Sequence, residues 1–248
     1  MIVIAPDKFK GTLSAAQAAD AIAGGLRDAG IADTLRLYPM ADGGDGTAAV
    51  LAGLLPGGTC MVETHQHIGP ACFRCEPAAR SSFALGVEIG RALERGGRVL
   101  VGIGGTACCD GGAGMLQALG LRAFRADGSE ITEPLSPATL MQVASVDASA
   151  LPRGARIIAL SDVRASLAPS PDSALSALDF AHQKGFAETY MPQLAGALRH
   201  WHDIAAPGRS SPVDGAGGGV GFALVSVLGA EARSGARFVA DAYGMPVA

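Results

Sequence analysis

The sequence is poor in charge and in aromatic rings: charged residues make up 17% of its 248 positions and aromatic residues 5%, with a single Trp. It contains no Lys/Arg block, and its net charge of −4 offers no cationic footprint for nucleic acid or anionic lipid. No apolar run approaches the roughly 20 residues of a membrane span. The opening MIVIAPDKFK has no charged lead, and Pro6 and Asp7 break its apolar run, so it does not read as a signal peptide. These absences predict a soluble, cytoplasmic protein that binds neither nucleic acid nor membrane. Five cysteines, an odd number without a secretory signal, argue against a disulfide framework. No internal repeat is apparent, and no G-x-x-x-x-G-K-[ST] occurs, which excludes a P-loop.

What is abundant is small. Gly occurs 35 times, and Ala dominates many stretches, a composition suited to helices packed closely on a sheet. Residues 1–5 read as a buried strand and residues 34–38 as a second. Between them Ser14 and Gln17 form a capping box, Ala18, Ile22 and Leu26 make an apolar stripe, and Gly30 is a stop signal. Further helices are expected from Thr47 to before Pro56, over 82–95, from Met115, over 188–202 and over 222–228, with strands at 98–103 and 156–160. Residues 59–80 and 164–176 read as irregular. The alternation predicts an α/β fold with a largely parallel sheet.

The chemistry gathers just past the strand ends, where open α/β sheets bind ligands. In "APDKFKGTLSA", residues 5–15, Lys8 and Lys10 precede a helix, a position that suits a phosphate but equally a solvated basic loop. In "PMADGGDGT", residues 39–47, Asp42 and Asp45 flank Gly43 and Gly44. Such carboxylates suit Mg²⁺ or a substrate hydroxyl, and the stretch is also good turn chemistry. "VLVGIGGTACCDGGAGM", residues 99–115, offers backbone N–H groups at Gly104, Gly105 and Thr106 to an anion, followed by Asp110. Asp162, just past the 156–160 strand, projects toward the same side or caps a helix, and Lys184 in "FAHQKG" is one more candidate phosphate contact. In "CMVETHQHIGPACFRC", Cys72 and Cys75 have zinc-like spacing that Cys60, His65 or His67 could complete. No second C-x-x-C exists, so reduced cysteines are the default expectation and zinc is not expected.

"APDKFKGTLSA", "PMADGGDGT", "GIGGTACCDGGAGMLQALG" and "DGAGGGVGFAL", in this order, resemble the type-1 glycerate kinase family, and the resemblance covers most of the chain. It implies phosphorylation of D-glycerate or a similar small hydroxy acid, with ATP and Mg²⁺ as cofactors, in a cleft between two α/β domains. By position it implies that Asp7, Lys10, Asp42 and Asp110 surround the cleft and that Asp162 matches the Asp of the family's D-V-T-N-P-L segment. On this reading Lys10, Asp42, Asp110 and Asp162 carry the reaction, Asp42 and Asp45 hold the metal, and Asp7, Lys8, Gly43, Gly44, Gly104, Gly105, Thr106 and Lys184 contact substrate or phosphate. The expected division is a partial flavodoxin-like domain over 1–60 and a second α/β domain over 61–248.

There are departures from the family pattern. Cys109 stands where the family has Asn, and residues 164–167 read R-A-S-L where it has T-N-P-L. Family members continue past the segment matching residues 243–248. That implies a first domain without its later strands, whose exposed edge is met either by rearrangement of the remaining chain or by a second copy of the chain that covers it. The departures also raise a second expectation, a repurposed relative that binds a small anion or a protein partner without turnover.

Overall fold

The computed structural model describes residues 1–245, so the last three residues of the expected second domain lie outside the described residues. The chain is α/β with parallel sheets. Strand β1 (Ile2–Ile4) pairs in parallel with β2 (Leu35–Leu37), and helix α1 (Ala15–Asp28) crosses between them. The capping box at the start of α1 forms as the sequence predicts: Gln17 N donates to Ser14 Oγ at 3.2 Å, and Ser14 N donates to Gln17 Oε1 at 2.9 Å.

The larger sheet has four parallel strands in the order β3 (Thr59–Glu63), β4 (Arg98–Gly102), β7 (Ile157–Leu160) and β8 (Glu231–Arg233). Strand β4 alternates between two buried layers. Val99 and Val101 face the main core beneath α4 (Phe83–Glu94) and α5 (Ala113–Ala118). Leu100 faces a second core that includes Leu51 of α2 (Thr47–Leu51) and Val239 of α8 (Gly235–Ala242). Burial on both faces is what a parallel strand requires. An antiparallel arm, β5 (Arg122–Phe124) with β6 (Ser145–Asp147), extends the large unit.

Several elements differ from the sequence expectation. Residues 59–80 are not irregular throughout: they contain β3 and the short helix α3 (Thr64–Ile68). The helix expected over 188–202 begins as a 3₁₀ turn (Glu188–Tyr190) and becomes α6 (Met191–Ala205) where Pro192 occupies its first turn. The apolar helix expected over 222–228 is one turn of α7 (Val220–Phe222) continued as a π-helical stretch (Ala223–Val227). Among the described residues no helix is long and apolar enough to cross a membrane.

Candidate functional site

The carboxyl ends of the two parallel sheets meet. From the small sheet come the loop after β1, carrying Asp7, Lys8 and Lys10, and the loop after β2, carrying Asp42 and Asp45. From the large sheet come α3, the loop after β4 and the turn after β7. The glycines of "ADGGDG" make this meeting possible. Gly43 has φ +92°, and a Cβ on it would lie 2.8 Å from Leu160 O. A Cβ on Gly104 would lie 2.6 Å from Gly44 Cα, and one on Gly235, at the start of α8, 2.2 Å from Asp42 C. Gly43 and Gly104 thus let the backbone of the two sheets' loops approach closely at this seam.

Around this seam Lys8 Nζ lies 3.5 Å from Asp7 Oδ1 and 3.6 Å from Asp42 Oδ1. Lys8 is the better held of the two lysines, with its side chain 20% exposed. Lys10 is exposed and lines, with Asp7, Lys8 and Asp45, a pocket of about 400 Å³. Asp42 Oδ1 accepts the Gly44 N–H at 2.9 Å. Asp45 Oδ1 lies 3.1 Å from His65 Nε2, while His65 Nδ1 is buried and has no partner among the described residues. The side chains of Asp42 and Asp45 are 56% and 57% exposed, which leaves each carboxylate an accessible oxygen.

Three expected site residues lie below this surface or to its side. Asp110 has no exposed surface: its Oδ2 accepts from Ser82 N and Ser82 Oγ, both at 2.7 Å, and from Gly114 N at 3.2 Å, and its Oδ1 from Gly112 N at 3.1 Å. Burial pushes its pKa up against those hydrogen bonds. It organises the entries to α4 and α5 and cannot reach a metal or a substrate hydroxyl in this arrangement. Lys184 is buried too, its Nζ donating to Thr106 O and Thr106 Oγ1, both at 2.6 Å, and burial lowers its pKa. It props the Gly104–Thr106 turn from beneath and is not free for phosphate. Asp162 accepts the Ala236 N–H at 3.0 Å, the helix-capping alternative of its sequence reading. Position 109 is likewise interior, since the Cys109 side chain is buried in the main core. Gly105 remains exposed, and among the described residues its N–H has no acceptor, which suits it to an anion.

His65 and Glu63 are the residues the sequence reading did not place here. Glu63 is buried and accepts from Ala48 N at 3.0 Å and Gln66 Nε2 at 2.7 Å, so it fastens α2 to the end of β3. Only their position at and just past the end of an unrecognised strand could have revealed them. The Cys/His segment does not converge: Cys72 and Cys75 are exposed, and Cys72 Sγ donates to Gln66 O at 3.4 Å. Among the described residues no group of three or more His, Cys, Asp or Glu could hold a metal ion. For Mg²⁺, which needs one or two carboxylates plus substrate phosphates, exposed Asp42 and Asp45 fit; the described residues form no closed protein cage.

A sequence profile described as the glycerate kinase family matches residues 2–72 and 52–248. A glycerate kinase of Bacillus subtilis (strain 168) is 33% identical, over 97% of this chain and 72% of its own length. A glycerate 2-kinase of Escherichia coli (strain K12) is 33% identical, over 98% and 72%. A crystal structure from Salmonella typhimurium LT2, presented as a glycerate kinase 2, superposes with a TM-score of 0.78 at 31% identity, covering 98% of this chain and 73% of that one.

Proposed function

The chain belongs to the glycerate kinase family, and on that premise we propose that it transfers the terminal phosphoryl group of ATP to a hydroxyl of D-glycerate or a similar small hydroxy acid. The observation that carries this reading is the convergence of Lys8, Asp7, Asp42 and Asp45 at the carboxyl ends of two parallel sheets.

Phosphoryl transfer asks the protein mainly for positioning and charge stabilisation. Lys8 and Lys10 supply cationic charge to phosphate or to the acceptor's carboxylate. Asp42, held at one oxygen by the Gly44 N–H and near the Lys8 ammonium, presents its other oxygen to orient the acceptor hydroxyl. The exposed N–H of Gly105 faces the anion, and Lys184 keeps the neighbouring Thr106 turn in place. Asp42 and Asp45 would hold Mg²⁺ together with the nucleotide phosphates, and the ion, when bound, offsets charge on the transferring group. Asp110 acts from beneath by fixing the turn into α5.

A coupled ADP-release assay with D-glycerate, ATP and Mg²⁺ tests this. Turnover is expected in the wild type, and Asp42→Asn and Lys8→Ala should each lower kcat/KM by roughly 10²–10³-fold. Wild-type turnover no greater than that of Lys8→Ala or Lys10→Ala would overturn the reading.

A further inference from the structure

A cavity of about 740 Å³ lies away from the groups assigned to phosphoryl transfer, between the 164–174 loop, the carboxyl half of α6 and the 210–214 turn. Its polar lining is unusually uncommitted. Arg164 and Arg199 both border it, and among the described residues neither guanidinium has a hydrogen bond or an ion pair. Ser170 Oγ accepts from Asp172 N at 3.3 Å and Ser211 Oγ from Val213 N at 3.4 Å, so each hydroxyl keeps its own proton for a further acceptor. The carboxylate of Asp214, in the same wall, is buried and turned inward, its oxygens accepting from Ser226 Oγ at 2.7 Å and Ser211 N at 2.8 Å. Asp172 is exposed and pairs with neither arginine, although it borders the same cavity. His202, also in the wall, is engaged at both nitrogens, 3.1 Å from Asp203 Oδ1 and 2.9 Å from Arg209 O.

We propose that this cavity binds a phosphate-bearing anion through Arg164 and Arg199, with the Ser170 and Ser211 hydroxyls as further donors. A guanidinium presents a planar fork of N–H groups that matches phosphate oxygens two at a time, and two unpaired forks on one concavity form a phosphate clamp. The hydroxyls donate to whichever oxygens the forks leave open. Arg164 also borders an adjoining cavity of about 490 Å³ with Ser161, Asp162 and Ser234, at the carboxyl ends of β7 and β8. The clamp thus adjoins the strand-end surface. The shared chemistry, a pyrophosphate-like group, has two sources: the phosphates of the nucleotide donor or a separate phosphorylated metabolite.

Isothermal titration of the full chain with pyrophosphate in Mg²⁺-free, low-salt buffer reads the site without turnover, so its result stands apart from the kinase reading. Saturable binding is expected. It should weaken at least about tenfold in Arg199→Ala, disappear in the Arg164→Ala/Arg199→Ala double variant, return in part in Arg199→Lys, and survive Lys8→Ala. Displacement of pyrophosphate by ATP would assign the clamp to the donor's phosphates; unchanged binding at saturating ATP would assign it to a separate metabolite. Either result supports the site. Three outcomes would overturn it: no saturable binding, a double variant of unchanged melting temperature that binds as the wild type does, or loss of binding in Lys8→Ala.

Discussion

Asp110 accepts four donors from Ser82, Gly112 and Gly114, each at the entry to a helix. Replacing one carboxylate oxygen by an amide sets N–H against N–H at a fully buried site, so Asp110→Asn should lose about 2–4 kcal/mol of stability by urea denaturation. An unchanged midpoint would show that the buried carboxylate is not the hub it resembles. Cys109 makes a pH-dependent companion case. Its thiol is fully buried, and burial pushes its pKa from 9.0 up to about 12. The folded-state pKa is raised, so the contribution is fully present below about 9, where the thiol is neutral in both states, and is lost as pH rises toward 12. Unfolding free energy should fall across that window by about 1.4 kcal/mol per pH unit for this thiol, and Cys109→Ala should flatten the slope. Buried Cys108, also shifted upward by its burial, should flatten it likewise when replaced. In native protein a thiol reagent should label Cys72 and Cys75 and spare both buried cysteines.

At the scale of elements, glycine does two different jobs. Gly24, inside α1, has open space around a would-be Cβ, so Gly24→Ala should raise stability by about 0.5–1 kcal/mol. Gly102 and Gly235 are clamped: a Cβ would sit 2.3 Å from Gly43 O in one case and 2.2 Å from Asp42 C in the other. Alanine at either must push the 42–45 loop off the large sheet. The kinase assay should therefore record a larger loss in kcat/KM for these variants than for Gly24→Ala, whose activity should match the wild type; equal activity in all three would count against the docked loop. The distinction also explains what could be read from the sequence. The α1 cap was legible because its bonds join residues three apart, and β4 because its apolar run is continuous. Strand β3 has only three consecutive apolar residues, Cys60 to Val62, inside a polar Cys- and His-rich segment, and β8 is a fully exposed Glu-Ala-Arg with no hydrophobic signal. Lys8, Asp42 and Asp45 were legible as loop residues beyond strand ends. The contact of His65 with Asp45 depends on loops from the two sheets meeting, and the burial of Asp110 and Lys184 on partners 28 and 78 residues away in the large unit, which no local pattern encodes.

The whole molecule divides its stability unequally. Beneath the small sheet the fully buried core is Ile4, Ala19 and Ala23, edged by partly buried Ile2, Leu26, Leu35 and Leu37. The large sheet rests on an extensive core that includes Trp201, Phe222 and Met115, none with exposed surface. Alanines bury little apolar area, and two three-residue strands supply few ladder bonds, so the small unit gains less from burial per ordered residue. Yet the loops that leave it bring Lys8 and Asp42 to the cleft, while His65 and Gly105 belong to the large unit. Opening of the small unit would therefore separate the two halves of the proposed site without melting the main core. Native-state hydrogen exchange should find the amides of α1 and β1 opening at a free energy at least about 2 kcal/mol below those of β4 and β7. ATP with D-glycerate should narrow that gap, because ligands gripping both halves stabilise only the closed arrangement. Equal protection of the two sheets without ligand would mean that the molecule unfolds as one cooperative body and that the cleft does not open by this route.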